Sequence, residues 1–225
     1  MDFSAVDPSD VVISPTLLTS DPTEFTKFIG LYPTFAKRMQ IDVVDGSFVP
    51  QTTISEAAMT ALPQGLLVDM HMMVARPSEH IQHILRLKPN LCIFHAEATE
   101  NLLPFFDQLK QAGIKAGVAL LQRTYPGDVK QYIEAADHVM IFAGALGKNG
   151  GEADLLQVEK VKLIRAIKQD VEIGWDGGVN MTNVRTLAHS DINILNVGSA
   201  IIKAEDPKKA FEDLSEEATQ RGVLI

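Results

Sequence analysis

Cysteine is nearly absent: the 225 residues contain one, Cys92, inside the apolar run LCIF. A single thiol excludes a disulfide framework and a cysteine-rich zinc site, and this one reads as a core residue. Long Lys/Arg runs are also missing, and the net charge is −9. A nucleic-acid-binding surface needs clustered positive charge, so nucleic acid is not an expected partner. A small anion is still allowed, because backbone N–H groups can bind phosphate on an acidic protein. No apolar run is long enough to span a bilayer, so no membrane association is expected. The opening MDFSAVDPSD is neither a signal peptide nor a basic transit peptide. The expectation is a soluble, cytoplasmic protein. Apolar residues at 46% and charged residues at 22% are an ordinary globular mix that can bury a sizeable core.

Short apolar runs alternate with longer amphipathic segments. The runs predict strands at about 11–18, 38–44, 67–73, 91–96, 114–121, 138–143, 171–175 and 192–197. Helices are predicted at about 22–36, near 53–61, 77–86, 100–112, 127–135, 153–168, 181–188 and 206–220. Asp21 can cap the first, with Pro22 in its first turn, and Ala112-Gly113 is a plausible stop for the fourth. Strict alternation of eight strands and eight helices supplies the crossovers that parallel strands need. An open doubly wound sheet is the alternative, but the length and the eight repeats favour an α/β fold of the (β/α)8 TIM-barrel type. No linker divides the chain, so residues 1–225 are read as a single domain.

In such a barrel, chemistry gathers at the C-terminal ends of the strands. Four segments place polar residues there. In the second strand, Gln40 and Asp42 share a face; Asp42 or Asp45 could equally do no more than cap a loop. Asp69 and His71 share a face of the third strand, where a lone His is commonly structural. Met72 and Met73 could line a pocket or simply pack. Gly174-Trp175-Asp176-Gly177-Gly178-Val179-Asn180 follows the seventh strand and reads as a phosphate-facing backbone with a carboxylate, or as a plain turn. Gly198 and Ser199 follow the eighth strand, and loops after strands seven and eight often hold phosphate in this fold. The glycine-rich loop 144–151, with Lys148, Gly150 and Gly151, could be a lid or a third phosphate contributor.

These stretches carry a recognisable pattern. ISPTLLTSD, QIDVVDGSFVP, DMHMMVARP, FHAEATEN, AGVAL, WDGGVN and VGSAIIKAEDP occur in an order and spacing similar to the ribulose-phosphate 3-epimerase family, over about residues 11–212. The resemblance implies a divalent metal at the barrel mouth, held by two His and two Asp. It also implies that the two carboxylates act as acid and base at C3 of a ketose phosphate. The metal then stabilises the enediolate oxygens. By this resemblance Asp42 and Asp176 are the catalytic pair and, with His71, metal ligands. Thr16 falls at a substrate-contacting position, and Gly177, Gly178, Gly198 and Ser199 at the phosphate grip, joined by Gly150 and Gly151. A phosphosugar is the implied partner, and a homo-oligomer the implied assembly.

The sequence also departs from the family. Gln40 stands where the family has its other metal-binding His, and an amide oxygen is a weak ligand for zinc. Among Zn, Mn, Fe and Mg, the oxygen-preferring ions would lose least. Val44 replaces a usual Met and Gln51 a usual Asn. The loop after strand six reads GALGKNGGEAD instead of Pro-Gly-Phe-Gly-Gly. Three readings follow. The first is an isomerase that epimerises a ketose phosphate through Asp42 and Asp176. The second is another phosphosugar reaction, such as aldol cleavage or decarboxylation. Related decarboxylating barrels carry Asp-x-Lys-x-x-Asp, and Asp69-Met70-His71-Met72-Met73 has no Lys. The third is a non-catalytic phosphosugar-binding protein. His80, His83, His95, His138 and His189 read as structural or surface residues, with an inward-facing His95 left open.

Overall fold

The computed structural model describes Asp7, residues 10–144, Leu146 and residues 150–220. Lys148 therefore lies outside the described residues, as do the loop positions 145, 147 and 149. Eight parallel strands close into a barrel in chain order: β1 (Val12–Leu17), β2 (Arg38–Val44), β3 (Leu67–Met73), β4 (Leu91–His95), β5 (Lys115–Leu120), β6 (His138–Phe142), β7 (Glu172–Asp176) and β8 (Ile194–Val197). Closure is made by β1 pairing with β8, Ser14 opposite Asn196. The expected TIM barrel is what forms, and the bounds of β2 and β3 match the sequence pattern.

Helices cover the outside: α1 (Pro22–Leu31), α2 (Ile81–Leu87), α3 (Leu103–Gln111), α4 (Lys130–Ala135), α5 (Glu159–Ile167), α6 (Val184–Ala188), α7 (Ser199–Ile202) and α8 (Pro207–Thr219). The Asp21 side chain accepts from the Thr23 N–H at 2.8 Å and starts α1. Gly113, at φ +76°, ends the α3 segment in the left-handed region that glycine allows. No helix among the described residues is long and apolar enough to cross a membrane.

The alternation is not strict. The helix expected near 53–61 does not form. The backbone there is committed elsewhere: Thr53 N–H donates to Val44 O, Ile54 N–H donates to Thr19 O, and the Thr53 hydroxyl donates to Asp42 O. Only isolated turns at Ala58 and Met59 follow, while the buried Glu56 carboxylate is held inward by His80 Nδ1 at 2.9 Å. Conversely, β8 is followed by two helices, the four-residue α7 and then α8.

Two apolar layers make the core. The larger lies between the outward faces of the strands and the helices. The smaller fills part of the barrel interior with Leu91, Ile93, Ala119, Met140 and Phe142 from β4–β6. Polar side chains occupy much of the remaining interior. At the N-terminal end of the strands, Arg38 grips Asp69 through Nε and forks onto Glu172 at 2.8 and 3.0 Å. His138 Nδ1 meets Glu172 at 2.8 Å, and Asn90 donates to Asp69 at 2.9 Å. Asp69, though it shares a face with His71, therefore belongs to the opposite end of the barrel from the cleft.

Candidate active site

A cleft opens at the C-terminal ends of the strands. Thr16, Asp42, His71 and Asp176 line its floor; Gly150, Gly151, Gly177, Gly178, Gly198 and Ser199 line one side. These ten positions, all named from the sequence, converge there. Met73, Phe142 and Asn196 line it as well, whereas Met72 packs into the outer core. Asp45 is a turn residue beside the cleft: its carboxylate accepts from the Ser47 N–H at 2.8 Å.

Asp42 and Asp176 project from β2 and β7 and are joined by one side chain. Gln40, two residues before Asp42 and on the same face, donates from Nε2 to Asp42 Oδ1 at 2.8 Å and to Asp176 Oδ2 at 2.6 Å. Its Oε1 is buried without a partner. His71 Nδ1 lies 2.9 Å from Asp42 Oδ1 and 3.7 Å from Asp176 Oδ2. Burial, and next the neighbouring Asp42 charge, hold the Asp176 carboxyl well above the usual carboxylate range.

Behind His71 stands a residue whose inward orientation the sequence left open. His95, the last residue of β4, is fully buried with Nε2 2.8 Å from His71 Nε2. Phe48 packs against its ring, the two centroids 4.9 Å apart. The signal was present in the alternation Leu91, Ile93, His95, which puts all three side chains inside the barrel.

The glycines after β7 are steric requirements. A Cβ on Gly177 (φ +113°) would lie 2.1 Å from Gly144 N, and one on Gly178 (φ +72°) 2.3 Å from Ala153 N. The chain ends around the glycine-rich loop are thus packed backbone to backbone against the turn that carries Asp176. A further hydrogen bond from Ala143 N–H to Asp176 O, 2.7 Å, ties the same two segments.

A sequence profile described as the Ribulose-phosphate 3 epimerase family matches residues 12–202. The chain belongs to this family. It is accordingly an enzyme of the isomerase class. The ribulose-phosphate 3-epimerase of Schizosaccharomyces pombe is 26% identical over 208 residues, covering 90% of this chain and 91% of that one. The Bacillus subtilis enzyme of the same name is 27% identical over 212 residues, covering 91% and 98%. Among solved structures, the 3-hexulose-6-phosphate synthase of Salmonella typhimurium superposes with a TM-score of 0.68 at 16% identity, covering 92% of this chain and 98% of that one. That likeness shows the fold alone.

The donor set suits a divalent cation. One ligand atom each from Asp42, His71 and Asp176 lies within 4.8 Å of the others. Two carboxylates and an imidazole are a plausible first coordination sphere for zinc, manganese, iron or magnesium. The unpartnered Oε1 of Gln40 sits on the same side chain that already reaches both carboxylates, so a turn of its amide would present an oxygen in place of the N–H groups.

Proposed function

We propose that this enzyme epimerises a ketose phosphate of the ribulose 5-phosphate type at C3, with Asp42 and Asp176 as the proton-transfer pair. The observation that carries the reading is the placement of two carboxylates on separate strands at one cleft, both within reach of Gln40 Nε2. One carboxylate takes the C3 proton and leaves an enediolate; the other returns a proton to the opposite face, so atoms and charge balance over the cycle. Asp176, whose surroundings favour the protonated form, is suited to deliver that proton. A divalent cation on Asp42, His71 and Asp176 would supply the positive charge that a developing oxyanion requires. Thr16 would contact the sugar. Gly150, Gly151, Gly177, Gly178, Gly198 and Ser199 would take the phosphate, which leaves the reactive carbon over the carboxylates. A homo-oligomer and a cytoplasmic location belong to the same proposal, and light scattering checks the first.

A non-catalytic phosphosugar-binding role has one observation in its favour: the Gln40 amide, as placed, already bridges the two carboxylates from the side a cation would share. Metal content of the purified protein, measured together with C3 proton exchange from ribulose 5-phosphate in deuterated water, separates the two. Exchange with bound metal is the expected result. Tight sugar binding without exchange would replace the epimerase reading by the binding role.

The phosphate side also contains a cation. Lys203 Nζ lies 3.7 Å from where a Cβ of Gly150 would stand, next to the Ser199 hydroxyl at 3.5 Å. Lys203→Gln is expected to raise KM for the phosphorylated sugar roughly fivefold, with kcat within about twofold, because an exposed charge adds a modest uniform term. Initial rates at low salt check this, and the difference should shrink as salt is added.

A further inference from the structure

The segment that follows β2 is tied to the segment around α2 by one histidine set between two carboxylates. His80 Nδ1 lies 2.9 Å from Glu56 Oε1, and its Nε2 lies 3.3 Å from Asp45 Oδ2. The three side chains are 12%, 2% and 18% exposed for His80, Glu56 and Asp45. We propose that His80 is a protonation-dependent clasp. As an imidazolium it holds residues 45–56 against residues 76–86, and on losing its proton it lets that segment loosen at the rim of the cleft. The proposal needs neither a bound cation nor the epimerase reading.

The geometry asks for a charged ring. An ionised carboxylate only accepts, so two of them, one at each ring nitrogen, call for two N–H groups, which the imidazolium alone has. Glu56 makes the demand strongest. Its carboxylate is buried, and His80 Nδ1 is its one side-chain partner among the described residues, Oε2 having none. A buried carboxylate deprived of its cation is costly. The other charged and titratable groups nearby are engaged elsewhere or neutral. Arg86 turns its Nη2 to the backbone oxygens of Glu56 and Met59, at 3.3 and 3.0 Å. Arg76 pairs with Glu79 at 3.2 Å, and His83 meets His80 through its backbone N–H, which donates to His80 O at 3.0 Å. Cys92, on β4, feels the Glu56 charge, but burial first and then that charge push its thiol well above its ordinary value, so it stays neutral. The hydrogen bond to Glu56, opposed by burial and reinforced by Asp45, raises the His80 pKa above its ordinary value. Burial works against the Asp45 charge, yet Ser47 and His80 together hold its carboxyl below the ordinary value. A histidine raised in this way gives stability that is complete below its unfolded pKa and is lost as pH rises through the folded one. The clasp is therefore closed on the acid side of the ordinary histidine value and opens as pH climbs past the raised one. Ser47 Oγ, accepting from the Ala75 N–H at 3.1 Å, and the Arg86 contacts remain, so the segment loosens without detaching. Phe48 belongs to this segment and packs on the His95 ring behind His71, which joins the clasp to the floor of the cleft.

Two measurements test this, and neither needs turnover. In an NMR titration of the imidazole signals, the one missing from His80→Gln is expected to titrate above the ordinary histidine value. Glu56→Gln keeps the shape and removes the charge, and is expected to bring that titration down. Backbone hydrogen exchange over residues 45–56, corrected for the intrinsic effect of pH on exchange, is expected to speed up about 10-fold from about pH 6 to about pH 9, since a hydrogen bond to a charged group carries roughly that factor. In His80→Gln the same residues should exchange fast at both pH values, while β5 should behave alike in the two proteins. A His80 that titrates at or below the ordinary value overturns the proposal. So does protection over residues 45–56 that is indifferent to pH in the parent, or that survives in a folded His80→Gln. Should His80→Gln fail to fold, the signal that moves down in Glu56→Gln identifies His80, and the parent's exchange across pH still decides.

Discussion

Asp176→Asn is expected to remove turnover while leaving a barrel at least as stable as the parent in the metal-free state. The amide has the shape of the carboxylic acid and can still share a hydrogen bond with Gln40, but it cannot exchange a proton with C3. A positioned acid or base contributes on the order of 10²–10⁴ in rate. A loss of about 10³-fold in kcat, roughly 4 kcal/mol, is therefore expected. Stability should move the other way. Burial and Asp42 hold the Asp176 carboxyl above its ordinary value, so the folded protein binds that proton more tightly than the unfolded chain does. The metal-free parent should consequently gain stability from this group as pH falls from neutrality toward the usual carboxylate range, and lose it as pH rises. The variant lacks that dependence. Metal affinity of the parent should weaken over the same fall in pH, since a ligand must be deprotonated. Exchange kinetics and melting curves across pH check both halves. Full activity in the variant would sink the assignment of Asp176.

Arg38→Met is expected to lower folding stability by about 3–5 kcal/mol, a fall of roughly 10 °C in Tm, with KM unchanged. Arg38 is buried at the far end of the barrel and contacts Asp69 and Glu172 at once. Removing it leaves Asp69 buried, with only the Asn90 amide as a side-chain hydrogen-bond donor among the described residues. Burial raises the Asp69 carboxyl even with Arg38 present. Glu172 differs. Its burial also works against the ionised form, but His138 and Arg38 together hold its carboxyl below the ordinary range. That stabilisation is present above the unfolded pKa and is lost as pH falls, so the parent should show an acid-sensitive component that the variant lacks in part. Arg38→Lys keeps the charge but not the fork onto Glu172 and should fall between the two. Urea midpoints at neutral and acid pH measure all three proteins.

The barrel was legible because strand alternation is a local property: Gln40 and Asp42, or Asp69 and His71, reveal a shared face from spacing alone. Less could be read of what each inward side chain meets. Asp69 and His71 sit two residues apart on one face, yet one braces Arg38 and the other joins the cleft, since neighbouring strands decide the layer. For His95 an inward orientation could be read from alternation, but not its pairing with His71 on β3, which no pattern within FHAEA announces. The segment near Glu56 looked helical by composition. It is not, because Thr53 and Ile54 give their N–H groups to Val44 and Thr19, contacts that exist only after the barrel closes.

Gly177 against Gly144 and Gly178 against Ala153 pin both ends of the glycine-rich loop to the turn after β7. The frame around Asp176 is therefore held by backbone packing against Gly144 and Ala153. The pins themselves are constrained in pairs, because a side chain at either glycine demands a backbone shift in its partner segment.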